Sequence, residues 1–184
     1  LLGDPYAPLN FSSYNPFTLK FIHFDNRILG NYRETNHLSI SVENSSYAVK
    51  EIINNDQLTL DGEIAKASIN YFRKLSDNLT LNVSLPIYSF SKGFLDNPIE
   101  QWHDLFGLSD GSRVDLPESQ LNFEVLSGSY KERINDSDIG IGDIQISTKL
   151  NFYSKNKSDL YFITSLEIPT GSKKKYFGND ELDG

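Results

Sequence analysis

A chain of 184 residues is long enough for one domain with a core, although 38% apolar residues, 12% of all residues being aromatic, make that core a modest one. A net charge of −8 excludes the basic stripe of a general nucleic-acid binder, so no nucleic-acid partner is expected. The absence of cysteine excludes a disulfide framework, a thiol nucleophile and a Cys-based metal site.

There is also no methionine, even at position 1, so the chain is expected to begin after a processed or trimmed N-terminus. No window approaches 18 consecutive apolar residues, which excludes a transmembrane helix. Barrel strands remain open, because they need only alternate residues to be apolar. Residues 1–30 start with "LLGDPYAPLNFSSYNPF", three prolines in the first 16 residues and no periodicity, and read as an irregular extended segment. Inside a barrel it would fill the lumen, cover the rim or simply lead in.

Residues 31–184 read as β-structure. Leu38, Ile40 and Val42 alternate with Ser39, Ser41 and Glu43; Ala65, Ala67, Ile69 and Tyr71 alternate with Lys66, Ser68 and Asn70. Leu79, Leu81, Val83, Leu85 and Ile87 share a face opposite Thr80, Asn82 and Ser84. Ile144, Ile146, Leu150 and Phe152 oppose Gln145, Ser147 and Lys149, and 160–168 alternate less cleanly. Period two over such lengths predicts strands with one apolar and one polar face, several near the ~9–11 residues that a tilted strand needs to cross a bilayer. Short links, "KLSDN" (74–78) and "SKNKSD" (154–159), fall on one side; long links, 44–62, 90–138 and beyond 169–171, fall on the other. That asymmetry belongs to outer-membrane barrels. The expected fold is all-β: an antiparallel meander forming the N-terminal part of a transmembrane β-barrel. Lys66, Asn70, Thr80, Asn82, Gln145 and Lys149 are its candidate lumen-facing residues, suited to a water-filled or side-chain-plugged interior. Within the long link, Leu121, Phe123 and Val125 alternate and predict a hairpin in 119–138.

One amphipathic helix is predicted at about 97–106. Asn97 is its N-cap, Pro98 its first residue, Glu100 the partner of a capping box and Gly107 the stop. Ile99, Trp102 and Phe106, with Leu105 beside them, form the apolar face; Glu100, Gln101 and Asp104 point elsewhere. Such a helix would close a barrel mouth as a lid, lie in the membrane interface, or cover a soluble sheet. The lid is the preferred expectation, with Trp102 and Phe106 inward as its anchors.

His103 and Asp104, with Ser109 and Ser112 nearby, suggest a hydrolase. Adjacent helix positions do not face each other, and no G-x-S-x-G elbow is present, so no catalytic residue is assigned. His103 is instead expected on a loop carbonyl, and Asp104 in solvent or paired with Arg113. "NDSDIGIGD" (135–143) and "GNDELDG" (178–184) lack the spaced ligands of a calcium loop, and neither a metal nor another cofactor is expected.

Four stretches then occur in order: "LDGE" at 60–63, "LPIYSFSKGFLDNPIEQWHDLFGLSDGSR" at 85–113, "GIGDIQISTKL" at 140–150 and "EIPTG" at 167–171. Together with the opening "PLNFSSYNPF" they resemble a family of Gram-negative bacteria, the domain of unknown function numbered three-one-eight-seven. The resemblance implies an exported, Sec-dependent outer-membrane β-barrel with an even number of antiparallel strands, and it implies no activity. Five or six strands are countable, fewer than the eight of the smallest usual closed barrel, and the end "GNDELDG" lacks a terminal aromatic. The chain is therefore expected to be the N-terminal part of a longer protein.

The expected function is that of a passive outer-membrane protein, a channel for small solutes or a structural barrel, with the lipid bilayer as its partner and no enzyme activity. A soluble β-sandwich binding module and an outer-membrane hydrolase using His103 are the alternatives.

Overall fold

Alternating side chains become strands in the computed structural model, which describes residues 14–19, 28, 35–155 and 158–182. Eight strands form among the described residues: β1 (Asn36–Ile53), β2 (Asp56–Lys74), β3 (Leu79–Ser91), β4 (Asn122–Ser127), β5 (Tyr130–Ile134), β6 (Asp138–Ile141), β7 (Ile144–Lys155) and β8 (Ser158–Ile168). They hydrogen-bond in the order β5-β4-β2-β3-β7-β8, with β1 on β2 and β6 on β3. The sheet is open, so closure into a barrel is not part of what is seen, and there are more strands than the five or six countable in the sequence. No helix among the described residues is long and apolar enough to cross a membrane.

The expected long link at 44–62 is not a loop. β1 and β2 are 18 and 19 residues long and meet in a tight turn at Asn54–Asn55, where Asn54 takes a left-handed φ of 55°. Asparagine tolerates that conformation, which explains how two polar residues reverse the chain so sharply. Asn44, Ser45 and Ser46 interrupt the apolar alternation without interrupting the ladder. The predicted 119–138 hairpin does form, as β4 and β5 around Gly128 at φ 56°.

The chain divides into two compact units. The first comprises residues 1–42, 67–87 and 140–184; the second, residues 43–66 and 88–139. In the first unit β3 pairs antiparallel with β7, and β7 with β8. The register places Ser147 opposite Ser165 and Thr148 opposite Thr164, and both pairs share hydroxyl hydrogen bonds, at 2.8 and 2.7 Å. A bulge between Asn151 and Tyr153 leaves Phe152 without a register partner.

Burial on the strands of this unit is inverted, the buried Phe72 excepted. Leu38, Ile40, Val42, Ile69, Leu150, Phe152, Leu160 and Phe162 are exposed, whereas Ser68, Asn70, Asn82, Ser84, Gln145, Ser147 and Lys149 are buried. Tyr14, Pro16, Leu19, Ile28 and Phe177 supply buried apolar side chains. Of the irregular segment predicted at 1–30, residues 14–19 hold a short 3-10 turn in which the Asn15 side chain accepts from the Phe17 amide at 2.9 Å; most of the rest lies outside the described residues.

The glycine motifs of this unit are structural. Asp143 accepts from the backbone amides of Thr170 (2.9 Å), Gly171 (2.8 Å) and Asn179 (3.2 Å), and Thr170 donates its hydroxyl to the Gly142 carbonyl. A side chain at Gly140 would strike the Phe177 ring at 2.6 Å. "GIGD" and "PTG" thus lock one turn to another.

The second unit is ordinary in burial. Leu60, Ile64, Tyr88, Phe90, Leu121, Phe123 and Ile134 form an apolar core, with Phe123 edge-on to Phe90 and Tyr47. β2 is buried on both faces through 59–64 here, and β4 pairs with it in a register that sets Asp61 opposite Asn122.

Candidate functional site

Burying both faces of β2 takes two carboxylates, Asp61 and Glu63, out of bulk water. A buried charge costs several kcal/mol unless it is paired or hydrogen-bonded, so the surroundings must answer for each. Glu63 is answered fully. One oxygen accepts from the Asn44 amide at 3.0 Å, and the other from the backbone amide of Leu95 at 2.6 Å.

That second bond corrects the predicted helix start. The helix, α1, spans Asp96–Phe106, with Leu95 rather than Asn97 at the N-cap and no local side-chain cap. The orphan N–H that a capping box would satisfy from Glu100 is satisfied instead by Glu63 of a distant strand. Asn97 and Pro98 lie inside the first turn, where proline's missing N–H has no intrahelical partner to lose. The stop is as predicted: Gly107 is left-handed at φ 64°, and the Leu108 amide donates to the His103 carbonyl at 2.8 Å.

Asp96 is the second half of the cluster. Its carboxylate accepts from Arg113 at 2.6 Å and from the Ser119 amide at 3.2 Å, and Arg113 reaches on to Ser46 at 2.8 Å. The expected Asp104–Arg113 pair therefore gives way to Asp96–Arg113, an ion pair with both side chains largely buried. Gly93, at φ +84°, lets the Asp96 carboxylate approach to 3.0 Å of where a Cβ would stand. Gly62, at φ +136°, does the same for Leu121 at 2.7 Å. "LDGE" and "GFLDNP…GSR" are thus halves of one clasp that fastens the 92–121 segment to β1 and β2.

Asp61 is the member left over. It is 4% exposed, one of its carboxylate oxygens has no hydrogen-bond partner, and it borders a small cavity with Ala48, Asp96, Glu100, Arg113 and Glu118. Its space, about 10 Å³ for the centre of a water molecule, is on the order of one water. Burial first, and the Asp96 charge second, push the Asp61 carboxyl up to about 6 against a lowering by Arg113.

The apolar face of α1 does not anchor it. Trp102 is 59% exposed and Phe106 56%, with Leu105 exposed beside them, so the expected inward packing is overturned. Their rings lie 4.4 Å apart and pack on each other, while polar contacts hold the segment. His103 sits on the carboxylate of Asp110 at 2.7 Å, not on a loop carbonyl, and among the described residues no serine hydroxyl hydrogen-bonds to it. Ser109 accepts from the Gly111 amide instead. Ile99, Glu100 and Asp104 are accessible to water in whole or part.

Of the candidate lumen residues, Asn70, Asn82, Gln145 and Lys149 are buried, while Lys66 and Thr80 are half-buried. Neither amide atom of Asn70 or Asn82 has a hydrogen-bond partner. Lys149 lies over the Tyr161 ring at 5.2 Å, and Lys66 over Tyr88 at 5.8 Å. Among the described residues no three His, Asp or Glu side chains are grouped to hold a metal ion.

The clasp was missed in the sequence because its halves stand some 30 residues apart. The available signal was a carboxylate within three residues of a glycine in both motifs, "DGE" and "GFLD". No curated protein and no solved structure matches the chain. The profile described as "Protein of unknown function (DUF3187)" matches residues 4–183, and the chain belongs to that family.

Proposed function

We propose that this protein is an outer-membrane β-barrel of a Gram-negative bacterium, exported through the Sec route, that serves as a passive channel for small solutes or as a structural barrel. One observation carries the proposal: the strands of the first unit expose Leu38, Ile40, Ile69, Leu150, Phe152, Leu160 and Phe162 and bury Ser68, Asn70, Asn82, Ser84, Gln145 and Ser147. In water that arrangement forfeits the hydrophobic effect, at roughly 25 cal/mol per Å² of apolar surface left wet. Against lipid it is the stable arrangement, apolar outside and polar toward a lumen. The unsatisfied amides of Asn70 and Asn82 fit the same account, since each would cost about 1–3 kcal/mol in a dry core and little beside water.

Extraction tests the location: the native protein should leave the membrane fraction only with detergent. Planar-bilayer recording of the full-length protein tests the channel, with discrete conductance steps expected. Release by salt or alkali alone would favour the alternative, a soluble β-sandwich binding module, whose support is the apolar core of the second unit. The hydrolase alternative rests on the His103–Asp110 contact, and a His103→Ala variant that keeps the native phenotype removes it.

A further inference from the structure

We propose that Asp61 is a proton switch for the 92–121 segment: the protonated carboxyl leaves the clasp closed, and loss of the proton to solvent loosens it. The inference goes beyond the membrane proposal and holds or fails without it.

The geometry comes first. Asp61 is buried with one oxygen unpartnered, and it lines a small cavity together with Asp96 and Glu100 of α1 and Glu118 of the following loop. β1 contributes Ala48 to the lining and Ser46 to Arg113, and β4 sets Asn122 opposite Asp61. On its own strand Glu63 is already committed to Asn44 and Leu95. Arg113 is the cation lining the cavity, and its guanidinium is spent on Asp96 and Ser46. One positive charge therefore faces two buried carboxylates, and the excess negative charge falls on Asp61. A neutral carboxylic acid removes that excess.

The elevated Asp61 pKa agrees with this, burial being the main cause and Asp96 the second. The sign follows from the direction. A carboxyl that holds its proton more tightly in the closed state stabilises closure fully below its ordinary value of 3.8, and loses that contribution as pH rises through about 6. Linkage between those two values raises the opening equilibrium about tenfold from pH 5 to pH 7.5.

Trp102 makes the test direct, because it is the only tryptophan and sits on α1. Its fluorescence anisotropy in the full chain, followed from pH 4.5 to 8, should fall with a midpoint near 6. Asp61→Asn should stay high throughout, and His103→Asn, which removes the His103–Asp110 pair, should keep the step. A flat wild-type profile, a step that survives Asp61→Asn, or one that disappears in His103→Asn would each overturn the proposal. Should Asp61→Asn fail to fold, hydrogen exchange of 93–113 in the wild type, corrected for intrinsic rates, decides. About tenfold greater opening at pH 7.5 than at pH 5 supports the switch, and equal opening refutes it.

Discussion

Strand β2 passes through both units, and its two halves obey opposite rules. At Leu60 and Ile64 the apolar residues are buried; at Ile69 and Tyr71 they are exposed while Ser68 and Asn70 are buried. Even-numbered residues are buried in both halves, apolar at Leu60 and Ile64 and, Phe72 excepted, polar at Ser68 and Asn70, so the difference lies in what each unit is built to face. The second unit has an apolar core and hides its charges in a clasp that pairs Glu63, Asp96 and Arg113 and leaves one Asp61 oxygen unpartnered. The strands of the first turn mostly polar side chains inward and apolar ones outward. Alternation in a sequence therefore states that a strand has two faces, and the surroundings decide which one is the inside.

Variants can break that comparison. The largest effect is expected at Arg113→Ala, which strands the Asp96 carboxylate beside Asp61 in the second unit. Breaking a buried pair from one side costs about 3–5 kcal/mol. Limited proteolysis should then cut within 92–121 while the β7–β8 ladder keeps its hydrogen-exchange protection. Simultaneous loss of both would show that the units do not hold separately.

Next is Leu150→Arg on the exposed face of β7. A lipid-facing arginine near the bilayer midplane costs about 2–4 kcal/mol. A surface arginine in water changes stability within about 0.5 kcal/mol. Urea titration of the protein folded into vesicles separates the two outcomes. The smallest effect is expected at Trp102→Ala, within about 0.5 kcal/mol, because the ring packs on Phe106 rather than under the helix. Increased protease cutting of 93–113 in that variant would restore Trp102 as an anchor.

The strands were legible because period two is a local signal, and the alternating stretches read from the sequence lie within strands except at Leu121, which precedes β4. Their ends were less so: at Asn44–Ser46 and Asn54–Asn55 composition suggested a loop, whereas cross-strand pairing kept the ladder and a left-handed asparagine turned it. The helix was legible as an element and at its glycine stop. Its start was not, since the cap comes from Glu63, more than a helix length away in sequence. Trp102 was misassigned for a related reason, because amphipathicity shows that a helix has an apolar face and not which way the tertiary contacts turn it. Asp61 was invisible as a site, since its character arises only when "LDGE" meets "GFLDNP…GSR".

The outward face of the first unit is the centre of the account, and the chain's lack of cysteine makes it directly measurable. Single nitroxide labels at Leu150→Cys and Phe162→Cys, compared with Ser147→Cys and Asn82→Cys, should be read in lipid vesicles by collision with oxygen and with a nickel chelate. The account predicts that labels at 150 and 162 meet oxygen and not the chelate, while labels at 147 and 82 lack that lipid signature. Chelate access at 150 and 162 equal to that of a label at Glu51→Cys, an exposed polar position of the second unit, would contradict it.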